Sequence, residues 1–168
     1  GFGERIDEDQ QAAATQHEIL DRWSDGSVRW ALFDFALPLG AKPGDSFLLE
    51  RGEAELPIAQ DRVQVEETQG AIRVNTGPAT FQLARGAAIP FAGVVDATGR
   101  EMLDATRCRL ALHDGAGRAF TATIRDIAIE SSGPLRTSAR LAGAFVGEGA
   151  GRPPLDFTLR VHFFAGRA

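Results

Sequence analysis

The sequence predicts an all-β protein built as two units, and three observations point there. Apolar residues recur with a period of two. In Asp156–Phe164, for example, Phe157, Leu159, Val161 and Phe163 share one face, while Thr158, Arg160 and His162 share the other. Turn-forming clusters separate such runs at short intervals: Asp25-Gly26, Pro43-Gly44-Asp45, Asn75-Thr76-Gly77-Pro78, Thr98-Gly99, Asp114-Gly115, Ser132-Gly133-Pro134 and 147–154. Many short strands with this punctuation form sandwiches or barrels. The charge also changes sign along the chain. Residues 1–67 carry 15 acidic and 6 basic side chains, whereas 68–168 carry 8 and 12. The break falls in Glu66-Glu67-Thr68-Gln69-Gly70 and predicts a boundary between about residues 66 and 72, with units 1–68 and 69–168.

The elements follow in order. Residues 8–16 contain Gln10-Gln11-Ala12-Ala13-Ala14, which has helix propensity but no apolar face, so a loop or one short turn is expected there. Strands are expected at 16–23 and 28–38, joined across Asp25-Gly26. Val28–Leu37 is apolar on both faces, as in a strand covered on both sides, which predicts a buried Trp30. Further strands are expected at 45–51, 62–67, 70–75, 78–84, 91–96, 106–113, 118–131, 134–146 and 155–165. In the penultimate one, Leu135, Thr137, Ala139, Leu141 and Phe145 alternate against Arg136, Ser138 and Arg140.

Composition excludes several classes of function. The chain has 168 residues, 43% of them hydrophobic and 24% charged, enough for a packed core. No apolar run approaches the roughly 20 residues of a membrane-spanning helix. A net charge of −5 argues against a nucleic-acid partner. Cys108 is the one cysteine, so neither an internal disulfide nor a cysteine zinc cluster is expected. There is no tyrosine, and Lys42 is the one lysine beside 17 arginines, a bias that genomic base composition accounts for. The chain opens Gly1-Phe2-Gly3 and stops just after a strongly apolar stretch, as a processed piece of a longer protein would.

Few patterns carry chemistry. His17, His113 and His162 show no metal-ligand spacing, and each is expected to be a solvated surface residue. Neither a nucleophile elbow nor a phosphate-binding loop is present, and no cofactor is expected. Cys108 lies between Arg107 and Arg109 in a run read as strand, and is expected to be an inert structural thiol. Trp23 and Trp30 flank the Asp25-Gly26 turn. An aromatic clamp across a hairpin explains them, and a sugar-stacking platform would require at least one of them exposed. Arg136 and Arg140 share one strand face, and Arg160 and His162 share another. If the two strands pair, a cationic patch results that suits an acidic polysaccharide or an acidic neighbouring domain. Arg136, Arg140, Arg160 and His162 are therefore the candidate substrate-binding residues, with no catalytic residue among them. An ordinary solvated face is the alternative.

The segment Arg22-Trp23-Ser24-Asp25-Gly26-Ser27-Val28-Arg29-Trp30-Ala31-Leu32-Phe33-Asp34-Phe35 resembles one near the N-terminus of the exo-rhamnogalacturonan lyase-like proteins. These comprise polysaccharide lyase family 26 and its bacterial relatives. Three further segments resemble β-sandwich strands of that family: Ile72-Arg73-Val74-Asn75-Thr76-Gly77-Pro78-Ala79-Thr80-Phe81, Glu130-Ser131-Ser132-Gly133-Pro134-Leu135-Arg136 and Val161-His162-Phe163-Phe164-Ala165-Gly166. The resemblance implies a small RIFT-type β-barrel followed by an incomplete β-sandwich, ahead of a helical toroid that holds most catalytic groups. It implies a carbohydrate-active parent that cleaves acidic glycans by β-elimination, with a secreted or periplasmic location favoured. This chain would then be a non-catalytic portion, partnered by acidic polysaccharide or by C-terminal domains of the parent. A self-standing carbohydrate-binding or protein-interaction β module is the alternative.

Overall fold

The structure, a computed structural model, describes residues 2–5, 13–36, 48–51, 62–147 and 155–168. Among the described residues every regular element is a strand and every pairing is antiparallel. The turn 43–45, most of the 147–154 connection and residues 8–12 of the expected N-terminal loop lie outside the described residues.

Two short sheets lie in the N-terminal part. One pairs β1 (Phe2–Arg5) with β4 (Leu48–Arg51), and the other pairs β2 (Thr15–Arg22) with β3 (Val28–Phe35). Two four-stranded sheets follow. The first runs β5 (Gln64–Thr68), β6 (Ala71–Asn75), β7 (Ala79–Ala84), β8 (Gly93–Asp96) in sequence order. The second holds β9 (Ala111–His113), β10 (Ala119–Ser131), β11 (Arg136–Val146) and β12 (Asp156–Phe164), ordered β12-β11-β10-β9. The β5–β6 hairpin spans residue 68, so β5 belongs by its hydrogen bonds to the first of these two sheets.

The alternating apolar rows of the two four-stranded sheets meet as a sandwich. Ile72, Val74 and Leu83 from one sheet pack with Ile124, Ile127, Ala139, Leu141 and Phe163 from the other. Phe81, Phe91 and Phe163 form an aromatic trio with centroids 5.2–6.3 Å apart, Phe81 tilted against both others and Phe91 edge-on to Phe163. Each fully buried aliphatic side chain, such as Leu83, Ile124 or Leu141, contributes about 1.5–3 kcal/mol. A smaller cluster of Phe120, Ala122 and Phe145 closes the far end with Leu110, Leu112 and Phe157. Gly143 is required there, because a Cβ would collide with the Thr123 carbonyl oxygen and the Phe157 ring.

Two bulges interrupt the pairing of β10 with β11. Ile124 pairs with Gly143 and Asp126 with Ala142, which leaves Arg125 as the extra residue. Ile129 pairs with Ala139 and Ser131 with Ser138, which leaves Glu130 as the second. Each bulge shifts the alternation by one, so Ile124 and Ile127 both reach the core.

Two expectations are corrected. Trp30 is 62% exposed. Among the described residues its doubly apolar strand pairs with β2 alone, and the Trp30 side of it is not covered as the rule for strands buried on both faces requires. The strand expected at 106–113 shrinks to Ala111–His113. Asp104 accepts hydrogen bonds from the Thr106 N–H and hydroxyl, and its carbonyl accepts one from Arg107 N, which makes a turn that competes with extended backbone. Cys108 is consequently an exposed loop thiol.

Candidate functional site

The β11–β12 register assembles the candidate residues as their spacing suggested. Arg140 lies opposite Arg160, Ser138 opposite His162, and Arg136 opposite Phe164. All four candidates fall on the outer face of the second sheet, because β11 and β12 turn their apolar rows to the sandwich core. The cationic patch expected there is corrected by the acidic residues around it. Four guanidinium groups, those of Arg85, Arg136, Arg140 and Arg160, meet four carboxylates, those of Glu18, Asp34, Asp126 and Glu130.

Glu130 is the pivot of the exposed half. The bulge turns its carboxylate toward β12, where Arg160 Nε donates at 2.7 Å and Arg160 Nη2 at 3.2 Å. Arg140 Nε lies 3.7 Å from the same carboxylate, and Arg140 Nη2 donates to Asp126 at 2.9 Å. Arg85 closes the chain of charges at 3.6 Å from Asp126. The hydrogen bond from Arg160, then the charges of Arg160, Arg140 and His162, hold the Glu130 carboxyl below its ordinary range. Arg160 is raised in return by its hydrogen bond to Glu130 and by that residue's charge.

Arg136 forms the buried half. Its side chain is 7% exposed, sealed beneath the β2–β3 hairpin. Nε donates to Asp34 at 2.8 Å, Nη2 to Glu18 at 3.1 Å and Nη1 to the Ser138 hydroxyl at 2.6 Å. The Ser138 oxygen in turn lies 2.7 Å from His162 Nδ1. Burial pushes the Arg136 pKa down, but the hydrogen bonds and charges of Asp34 and Glu18 outweigh it and leave the guanidinium above its ordinary value. Beside it, Gln16 acts as a substitute strand. Its Oε1 accepts from Leu135 N and Arg136 N at 2.9 and 2.8 Å, and its Nε2 donates to Arg136 O at 2.8 Å. Gly133 leaves the space for this amide, since a Cβ there would overlap it.

The hairpin is a second candidate surface. Trp23 N donates to Ser27 O and Gly26 N to Trp23 O, a three-residue loop that needs Gly26 at φ +85°. Arg29 lies over the Trp23 ring at 4.6 Å and pairs with Asp21 at 3.2 Å. Trp30 sits opposite Asp21, so the cross-strand neighbours of the turn are an arginine on one tryptophan and an aspartate beside the other. Trp23 is 55% exposed, so both tryptophans meet the requirement of a stacking platform.

Sequence reasoning found β11 and β12 but missed all four carboxylates. Asp126 and Glu130 share a period-two face of β10 and were legible as partners. Glu18 and Asp34 lie more than 100 residues away in sequence, with no local signal. His17 and His113 are exposed strand residues, apart from this cluster.

Residues 63–168 match the family described as PcRGLX-like protein central beta sandwich domain. The chain is also similar to the uncharacterized protein YetA of Bacillus subtilis (strain 168), with 24% identity over an alignment of 173 residues. That alignment covers 96% of this chain and 19% of YetA, so the chain spans about a fifth of its relative's length.

Proposed function

Because this chain belongs to the PcRGLX-like proteins, a rhamnogalacturonan lyase-like family, we propose that it is a non-catalytic portion of a carbohydrate-active protein that cleaves acidic glycans by β-elimination. Its organisation is a RIFT-type barrel unit preceding a sandwich that takes in β5, residues 63–168. The observation that carries this reading is the pairing of the arginines. β-Elimination needs a base for the proton beside the uronate carboxylate, an acid for the leaving oxygen and a cation for the carboxylate itself. The guanidinium groups suited to the last task already hold protein carboxylates, and Arg136 is sealed under the hairpin. His162 is engaged with Ser138, and no second histidine joins it among the described residues. Arg136 then serves as a joint between hairpin and sandwich. Arg140, Arg160 and His162 are the groups left to meet an acidic glycan or an adjoining domain, weakly, because a bound uronate must compete with Glu130 and Asp126.

The test is one titration and one assay on the 168-residue chain. Oligogalacturonide and rhamnogalacturonan fragments are added while ultraviolet absorbance follows unsaturated product and amide NMR follows Arg140, Arg160 and His162. Expected are no turnover and small shifts that fade between low and physiological salt. Turnover, or tight salt-independent binding, contradicts the reading.

A self-standing carbohydrate-binding module is favoured by one observation, the exposure of both Trp23 and Trp30. With no tyrosine in the chain, its near-ultraviolet fluorescence reports on that hairpin alone. A neutral oligosaccharide that shifts this emission would support the module, and an unchanged spectrum would count against it.

A further inference from the structure

The buried half of the charge cluster does not end at Arg136. Ser138 and His162 are directly opposed residues of β11 and β12, so their side chains stand on one face with Cβ atoms about 4.5–5.5 Å apart. That spacing brings the Ser138 oxygen to 2.7 Å from His162 Nδ1, while Arg136 Nη1 donates to the same oxygen at 2.6 Å. Ser138 is 4% exposed, and its hydroxyl has no third partner among the described residues. His162 is exposed, and its Nε2 has no partner among the described residues.

The supply of protons fixes the direction of these bonds. A guanidinium only donates, a serine hydroxyl carries one hydrogen and two lone pairs, and a neutral imidazole has one donor and one acceptor nitrogen. Arg136 is held by Asp34 and Glu18, so its Nη1 hydrogen occupies one Ser138 lone pair. With the imidazole proton on Nδ1, that nitrogen would fill the second lone pair and strand the Ser138 hydrogen in a buried site without an acceptor. With Nδ1 bare, it accepts that hydrogen and every group is satisfied. An unmet buried donor disfavours the first arrangement by about tenfold or more.

We propose that Ser138 is a positioning residue that fixes His162 as its Nε2–H tautomer, so that the ring offers an acidic glycan a hydrogen-bond donor, for a uronate carboxylate or hydroxyl oxygen, and not a base. The bonds then run one way, from Arg136 through Ser138 to His162 and out through Nε2–H, and each donation polarises the next. A base for the glycan proton needs a lone pair on the unpartnered ring nitrogen, and this tautomer has none there. The glycan as acceptor rests on the function proposed above, whereas the tautomer rests on the hydrogen bonds alone.

The experiment uses the 168-residue chain with isotope-labelled histidine at about pH 8.5, well above the ordinary histidine value of about 6.5. Long-range proton–nitrogen NMR spectra tell a protonated ring nitrogen from a bare one. For His162 a bare Nδ1 and a protonated Nε2 are expected, with a slowly exchanging hydroxyl proton correlated to Nδ1. Ser138→Ala is expected to raise the Nδ1–H share of His162 several-fold, Ser138→Thr to restore the parent pattern, and His17 and His113 to stay unchanged in both. A protonated Nδ1 in the parent chain overturns the proposal, and that spectrum needs no variant to fold. So does a His162 tautomer that Ser138→Ala leaves as it was. Oligogalacturonide is then added to the parent chain. An Nε2–H signal that moves downfield with it supports the donor role. Amides of Arg140 and Arg160 that shift while the Nε2–H signal stays fixed overturn that role. No shift at any of them overturns the glycan as acceptor, and with it the function proposed for this face, while the tautomer stands.

Discussion

At the scale of single residues, exposure separates what is structural from what is available. Trp30 projects from a two-stranded sheet and is mostly exposed, so Trp30→Ala is expected to change stability by less than about 1 kcal/mol in urea unfolding. A loss of about 3 kcal/mol or more would place that ring in a core. Gln16 is the opposite case. Its amide satisfies two backbone N–H groups and one carbonyl at 8% exposure. Gln16→Ala leaves all three unpaired and is expected to cost about 2–3 kcal/mol. Arg136→Leu leaves Glu18 and Asp34 facing each other without their cation, and a cost of about 3 kcal/mol is expected. The two sites share one junction, so the double variant should cost less than the sum of the singles. Strict additivity would show that the hairpin is not held as a unit.

At the scale of elements, three hairpins use one turn. Trp23–Ser27, Asp96–Arg100 and Asp114–Arg118 each donate from the first N–H to the last carbonyl. In each, the fourth residue is a glycine at φ +80 to +85°. An aspartate carboxylate closes each turn by accepting nearby N–H or hydroxyl groups. Asp25 is held below the ordinary carboxylate range chiefly by the Ser27 hydroxyl, Asp96 by the Thr98 hydroxyl and Asp114 by the Arg118 N–H. Glu130 shifts the same way through Arg160. The folded chain therefore binds protons less readily than the unfolded one, and acid favours unfolding. The stability these four groups contribute is complete above about pH 5 and is lost progressively below about pH 4. The urea midpoint should fall across that window, and less steeply in Asp114→Asn. A midpoint that rises on acidification would contradict these assignments.

Strand parity was legible at this scale because a period of two needs no knowledge of partners. The rows of β11 and β12 fall where the sequence puts them. What covers each row was not legible. Arg136 and Ser138 read as solvated positions, yet the hairpin, more than 100 residues earlier, buries both. Trp30 reads as buried because its run is apolar on both sides, yet most of its ring stays in solvent. Asp126 and Glu130 share their parity in the sequence, but nothing in it says that a bulge turns Glu130 toward Arg160.

At the scale of the whole molecule, the sandwich of 63–168 is the family's domain, and the N-terminal hairpin is fastened to it by one buried arginine and one buried glutamine. Stability and charge pairing explain these contacts without any reaction. The proposed reading places catalysis outside this chain and leaves the chain a non-catalytic portion of a longer protein. Turnover by the purified 168-residue chain tests this most directly. Rhamnogalacturonan and other polyuronates are incubated with it, and the absorbance of unsaturated uronate ends is followed. The expected trace is flat at every salt concentration, in the parent chain and in His162→Ala alike. A rising trace that His162→Ala or Arg160→Ala abolishes would put a complete lyase site on the outer face of the second sheet and contradict the non-catalytic assignment.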